Sequence, residues 1–327
     1  MRTRPLIPTV IVCLVVLALC NLATVPWSRR LWYHERLDDI EAAQNPDIVF
    51  VGNSLMDARI DTNALNTGAA AADGTTFRPL NAALGASAPV DQALMMHYAV
   101  DLHPGLRTLV VGFFDFQLTE DVHLRPMELT GTHMIAVDPR FPVSEVAPIY
   151  HLDRTEQAQL RLLRAFPLAA NRMNAWKYVE LLRRRLGDMG ATAHATNDMG
   201  RVEDFAALEA GSDADFDRQA HDFLQNPTHF SASYERVFAD AARHNMKVVL
   251  VAMPASPAHS ERFYTRASWS AYFARIRALA EQRGFIVIDA TSWMPRQDEF
   301  SDVLHMTFPA SSEFSYRLGK ELATALP

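Results

Sequence analysis

The stretch "DIVFVGNSLMDARID" at residues 47–61 decides how the rest of the chain is read. Four apolar residues, Ile48–Val51, make a strand-like run, Gly52 closes it, and Ser54 follows two positions later. So short and continuous an apolar run fits a strand covered on both faces, as in parallel sheets flanked by helices. The carboxyl end of such a strand is where open α/β folds hold their ligands. Ser54 therefore has two readings. It is a nucleophile raised at the strand end, or it joins Asn53 in merely capping the next helix.

Further runs resemble this first strand: Pro79–Leu84, Thr108–Gly112, Val248–Met253 and Phe285–Ile288. The second is the weakest, mostly alanine and leucine around Asn81. Helical patterns separate them at Val90–Leu102, Ser231–His244, Ala267–Arg283 and Ala310–Leu326. Strands alternating with helices predict a doubly wound α/β sheet with right-handed crossovers. Between the third and fourth strands lies a long excursion, about 118–226, with helical patches at Arg154–Ala165 and Leu168–Leu186 on either side of Pro167. The piece after it, "GDMGATAHATNDMGRVEDFAALEAGSDAD", has no clear period and reads as a mobile surface loop. The excursion as a whole suits a lid or a partner-docking element.

The chain has 327 residues, 49% of them hydrophobic, and a net charge of −7. That is enough material for one large core or two smaller ones. Residues 1–30 carry Arg2, Arg4, Arg29 and Arg30 and no acid, so the remainder holds 27 basic against 38 acidic residues, or −11. A body so acidic repels phosphate backbones, which argues against nucleic acid as a partner.

From Leu6 to Val25, "LIPTVIVCLVVLALCNLATV" contains no charge, and as a helix it would extend roughly 30 Å, about one bilayer core. A cleaved signal peptide, a lipoprotein signal and an uncleaved anchor compete for this segment. The apolar stretch is longer than a usual signal core, no A-x-A site follows, and Leu19 is bulky for the residue before a lipidated cysteine. The expectation is a membrane anchor over 1–28, an amphipathic helix or linker over 29–46 and an α/β domain over 47–327, placed outside the cytoplasm on the inner membrane. Cys13 and Cys20, the only cysteines, both lie in the apolar segment. The rest has no thiol nucleophile and no disulfide.

A serine hydroxyl is a weak nucleophile and needs a histidine base, an orienting acid and donors for an oxyanion. Backbone N–H groups at the start of the helix after Gly52 are available as such donors. Near the other end, "DEFSDVLHMTFPASSEFSYRLGKEL" places Asp302 three residues before His305, just ahead of the last helix. On a turn, that spacing brings a carboxylate and an imidazole to one side. The G-x-S-x-G elbow is absent, since Met56 occupies its second glycine position.

Gly52-Asn53-Ser54 after the first strand, together with Asp302-x-x-His305 after the last, resembles the SGNH (GDSL-type) hydrolase superfamily, from about Asp47 to the C-terminus apart from the excursion. The resemblance implies a flavodoxin-like three-layer α/β/α sandwich of about five parallel strands. It implies Ser54 as nucleophile, His305 as base and Asp302 as its orienter. "RPLNAALGASAP" matches the family's second block, with Gly85 joining Ser54 in the oxyanion hole and Asn81 in the run before it. The third block, normally G-x-N-D, reads Gly112-Phe113-Phe114-Asp115. Phe114 stands where an asparagine amide would donate, a loss worth about 2.7–4 kcal/mol of barrier for one such donor.

An N-terminal anchor, a missing third-block asparagine and a large insertion are similar to membrane-anchored SGNH-like proteins of bacterial envelopes, including relatives of teichoic-acid D-alanylation and alginate O-acetylation proteins. That implies acyl groups moved onto or off an acylated small molecule or a polysaccharide, without a cofactor, beside a multispanning membrane acyltransferase. Against this acyl-ester enzyme stands a non-catalytic binding or assembly factor, motivated by Phe114. A metal-dependent hydrolase has least support: there is no H-E-x-x-H, and His97, His103, His123 and His133 lack ligand spacing. Asn53, Asn81, Phe114 and Asp115 are possible pocket residues, although Asp115 equally suits a helix cap. Of Phe113, Phe114 and Phe116, at least one is expected in the core. Asp57 and Arg59, just after Ser54, could face the pocket, but they read first as solvated surface.

Overall fold

A computed structural model describes residues 6–28, 32–57, 59–170, 213–225 and 229–326. The chain divides into two compact units, one of residues 1–36 with 123–193, the other of residues 37–122 with 194–327.

The second unit holds a five-stranded sheet: β1 (Ile48–Val51), β2 (Pro79–Asn81), β3 (Thr108–Phe113), β4 (Lys247–Ala252) and β5 (Ile286–Asp289). Their order is β2-β1-β3-β4-β5, and every neighbouring pair is parallel. This is one of the two common doubly wound orders, with its switch point between β1 and β3. All five strands lie where the apolar runs predict them. The second is shorter than Pro79–Leu84, but Ala82 and Leu84 continue its ladder by donating to the carbonyls of Phe50 and Gly52.

Period-two alternation divides each strand between the faces. Ile48, Phe50, Val110, Val249, Val251 and Ile288 pack with Leu65 of the 62–73 helix and with Phe314, Leu318 and Leu322 of the 308–325 helix. The intervening Val49, Val51, Leu109, Val111 and Leu250 are equally buried and face the other way. The 89–102, 232–243 and 267–282 helices contact β1, β4 and β5 respectively. Helices 62–73 and 308–325 approach closely because each has a glycine at the contact. A Cβ on Gly319 would lie 2.0 Å from the Leu65 carbonyl oxygen, and one on Gly68 1.9 Å from that of Tyr316. Ser315 and Ser312 tie the 308–325 helix to the strand-end loop, donating to the Arg59 carbonyl and the Asp61 carboxylate.

In the first unit, Leu6–Ser28 is an α-helix with Val10, Ile11, Leu14, Leu19 and Leu22 exposed. Asn21 anchors it to a corner, bonding the Ala165 carbonyl and the Leu168 amide. Among the described residues, however, no helix is long and apolar enough to cross a membrane, so the transmembrane span expected here is not found. The Arg154–Ala165 helix is present, started by a capping box between Asp153 and Glu156 and ended at Phe166 before Pro167. Most of the predicted 168–186 helix, and the aperiodic piece to residue 212, lie outside the described residues. That piece's last residues, 213–215, are not loop: they begin a helix, Asp213–Gln225, which buries Phe216, Ala220 and Phe223.

Candidate active site

Ser54 opens a single helical turn, Ser54–Asp57, directly beyond β1. Gly52 is favoured there by close approach: a Cβ would lie 3.0 Å from the Gly112 carbonyl oxygen on β3 and 3.0 Å from Met56 Cβ. Asn53 does the capping. Its Oδ1 accepts from the Leu55 amide at 3.0 Å, and its carbonyl accepts from the Met56 and Asp57 amides. The two readings of the opening stretch thus fall on adjacent residues, which leaves the Ser54 hydroxyl for another partner.

That partner is His305, whose Nε2 stands 2.7 Å from Ser54 Oγ. It sits on a tight turn after β5. The His305 carbonyl accepts from both the amide and the hydroxyl of Ser301, and Phe300 pairs with Met306 in an antiparallel bridge. The loop after β4 braces the turn through the Ser256 amide and the Val303 carbonyl. Asp302 Oδ1 accepts from the amides of Leu304 and His305, and its Oδ2 lies 2.8 Å from His305 Nδ1. One carboxylate therefore shapes the turn and orients the ring. Burial pushes the Asp302 carboxyl up, but the hydrogen bonds from the His305 ring and from the two amides outweigh it and hold the group below its usual range. His305 and Asp302 side chains are 29% and 31% exposed, so a substrate can reach them.

The resemblance gives the Gly85 amide to an oxyanion. Here it donates to Asp57 Oδ2 at 3.1 Å. Asn81 is a tie between elements: its amide donates to the carbonyl of Asp57 at 2.7 Å and more weakly to that of Met56, while its Oδ1 accepts from Ala83. Arg59 corrects the solvated-surface reading, because it is 1% exposed. Burial lowers its pKa against the opposing pull of Asp302 and Asp57, and its guanidinium lies 5.9 Å from the Phe308 ring centroid. A buried cation thus lies within electrostatic reach of both Asp57, at the Ser54 turn, and Asp302, at the His305 turn.

Beyond β3, Phe113 and Phe116 are fully buried, whereas Phe114 is half-buried and lines a cleft of ≈ 170 Å³ with Asn53, Ser87, Asp115, Gln117 and Glu120. Asp115 adopts φ 43°, in the left-handed region that non-glycine residues seldom occupy. Its Oδ1 lies 3.0 Å from Nε2 of the buried His259, and Tyr264 Oη is 3.5 Å from its amide nitrogen. The carboxylate is held from the β4 side and caps no helix. Asn53, Phe114 and Asp115 thus share one cleft, which Asn81 and Gly85 do not line.

Sequence reasoning passed over His259 and Gln117. A signal for His259 existed, since it follows the fourth strand as His305 follows the fifth. For Gln117 there was none: a glutamine in a loop is ordinarily solvated, and only the fold buries it.

No family model matches the chain, and no curated protein matches it. Among solved structures it is similar to that of a "putative acylhydrolase" from Bacteroides fragilis NCTC 9343, with a TM-score of 0.38 and 12% identity over 89% of this chain and 95% of that one.

Proposed function

We propose that the protein is a serine-dependent acyl-ester enzyme, a hydrolase or O-acyltransferase of the SGNH type, with Ser54 as nucleophile, His305 as base and Asp302 as its orienter. The observation that carries this reading is the 2.7 Å separation of His305 Nε2 from Ser54 Oγ, with Asp302 on the opposite ring nitrogen. A proton kept on Nδ1 by Asp302 leaves Nε2 free to take the Ser54 proton as Oγ attacks the acyl carbon. The imidazolium then returns that proton to the departing alkoxide, leaving an acyl-serine. Water or a second alcohol, deprotonated by the same nitrogen, releases the acyl group. The Ser54 and Gly85 amides would bind the oxyanion, which requires Asp57 to leave the Gly85 amide.

The substrate in this reading is an acylated small molecule or an envelope polysaccharide. This reading also places the sheet-bearing unit outside the cytoplasm, held by an N-terminal anchor beside a multispanning acyltransferase; the exposure of Val10, Ile11, Leu14, Leu19 and Leu22 favours the anchor, and the failure of any described helix to qualify as a span counts against it. Two observations favour the second reading, a non-catalytic assembly factor: Gly85 is already hydrogen bonded, and Phe114 stands where a donor is wanted. A fluorophosphonate probe separates the two. Labelling of the wild type that is lost in Ser54→Ala and falls sharply in His305→Gln is expected; no Ser54-dependent labelling would leave the assembly factor.

A further inference from the structure

Arg59, five residues after Ser54, takes no step in the proposed acyl transfer. It is 1% exposed, and Ser315 of the 308–325 helix fixes its place, donating to its carbonyl at 3.0 Å and accepting from the Asp61 amide at 2.9 Å. Phe308, three residues after His305, has its ring centroid 5.9 Å from the guanidinium. The buried cation thus sits beside both segments that carry the proposed catalytic groups. Burying a guanidinium is costly unless anions answer it. Asp57 from the strand-end loop and Asp302 from the His305 turn lie within its electrostatic reach. Other acids on the loop and the helix are engaged elsewhere, Asp61 by Ser312 and the amides of Asn63 and Ala64, Glu313 by Arg317. Asp302 does not need Arg59 to stay ionised, because the His305 ring and two amides already bond it. What the guanidinium changes is the sum of charge around His305. With it, the two carboxylates leave one net negative charge; without it they leave two. A second unanswered anion favours an imidazolium, and a base must be neutral to accept a proton.

We propose that Arg59 is a positioning residue that keeps His305 a neutral base by offsetting one of the two carboxylates beside the site. The inference deepens the acyl-ester reading and rests on it. Arg59 touches no substrate and acts through the charge of Asp302 and Asp57.

The test follows two signals in the full-length protein in a zwitterionic detergent. One is the acid limb of kcat/KM for p-nitrophenyl acetate. The other is the NMR titration of the His305 ring in histidine-labelled protein, its resonance identified by its loss in His305→Gln. Arg59→Met, which keeps a long side chain without charge, should raise both midpoints by about one pH unit. Arg59→Lys keeps the charge and should leave both nearly in place. Asp57→Ala alone should lower them. Combined with Arg59→Met it removes one charge of each sign and should return both midpoints close to the wild-type values, which loss of packing would not do. If Arg59→Met alone does not fold, the rise between Asp57→Ala and the double variant gives the same answer. Midpoints unmoved in folded Arg59→Met, or no higher in the double variant than in Asp57→Ala, overturn the proposal. The expected His305 titrations in a protein without Ser54-dependent turnover would uphold the charge role of Arg59 and sink the acyl-ester reading instead.

Discussion

Asp57 Oδ2 accepts a 3.1 Å hydrogen bond from the Gly85 amide, the donor that acyl transfer would assign to the oxyanion. The two groups cannot both be satisfied by that amide, so on the acyl-ester reading a substrate would have to displace a carboxylate before the site could stabilise negative charge. If Asp57 competes in this way, Asp57→Ala raises turnover of a small ester such as p-nitrophenyl acetate about fivefold. That corresponds to about 1 kcal/mol of a charge-assisted bond no longer broken on the way to the transition state. The melting temperature should fall at the same time, because Arg59 loses a neighbouring carboxylate. Lower turnover in the variant would mean that Asp57 assists the reaction.

Asp302 makes the opposite kind of contribution, since its contacts preserve what His305 needs. Asp302→Asn keeps an acceptor for the Leu304 and His305 amides but removes the anion facing Nδ1. Turnover should drop by about 10³–10⁴ with little change in melting temperature, the pattern of a lost tautomer on an intact turn. A drop in turnover matched by a large loss of stability would show that the turn itself had failed.

The contrast between these two carboxylates shows what was legible in the sequence. Asp302 could be read because its effect is local: three residues from His305, in the loop after a recognisable strand. The strands could be read because residues such as Val49 and Val110 are apolar whichever face they take, and a sheet covered on both sides needs no alternation. Asp57 could not be read, because its partner is an amide 28 positions away that a side chain reaches only after β1 and β2 pair. Arg59 was misread for a related reason. Its burial follows from the 308–325 helix closing over the strand end, which no local pattern encodes. Gly52 was read only as the close of the first apolar run, yet a side chain there would crowd the Gly112 carbonyl of a strand sixty positions on, 3.0 Å from a Cβ.

Helix packing offers a test in which propensity and sterics disagree in sign. In a helix interior, glycine to alanine ordinarily stabilises by roughly 0.5–1 kcal/mol. Gly319→Ala should instead destabilise by about 1–3 kcal/mol, because its methyl would meet the Leu65 carbonyl oxygen and force the 62–73 and 308–325 helices apart. Those helices carry the strand-end loop and flank the His305 turn, so activity should fall with stability. Urea unfolding monitored by tryptophan fluorescence gives the midpoint. An unchanged or higher midpoint would mean that the helices separate without cost.

Acid sensitivity should originate partly far from Ser54. Asp240 is fully buried on the 232–243 helix. His97 Nδ1 on the 89–102 helix stands 3.3 Å from its Oδ2, with Asp101 3.6 Å from the other ring nitrogen, and Arg243 and Arg236 approach from its own helix. Burial pushes the Asp240 carboxyl up, but hydrogen bonds and charge from His97 and Arg243 prevail and hold it below its usual range. A group with a depressed folded pKa contributes stability above its unfolded value, near 3.9, and loses it as pH falls through the lower folded value. Asp240→Asn should therefore cost about 3–5 kcal/mol at pH 7, where it breaks a buried ion pair, and progressively less below about pH 4. Urea midpoints for both proteins from pH 7 down to pH 3 would give the difference directly. A gap that stays constant across that range would show that the shape of Asp240, and not its charge, joins the two helices.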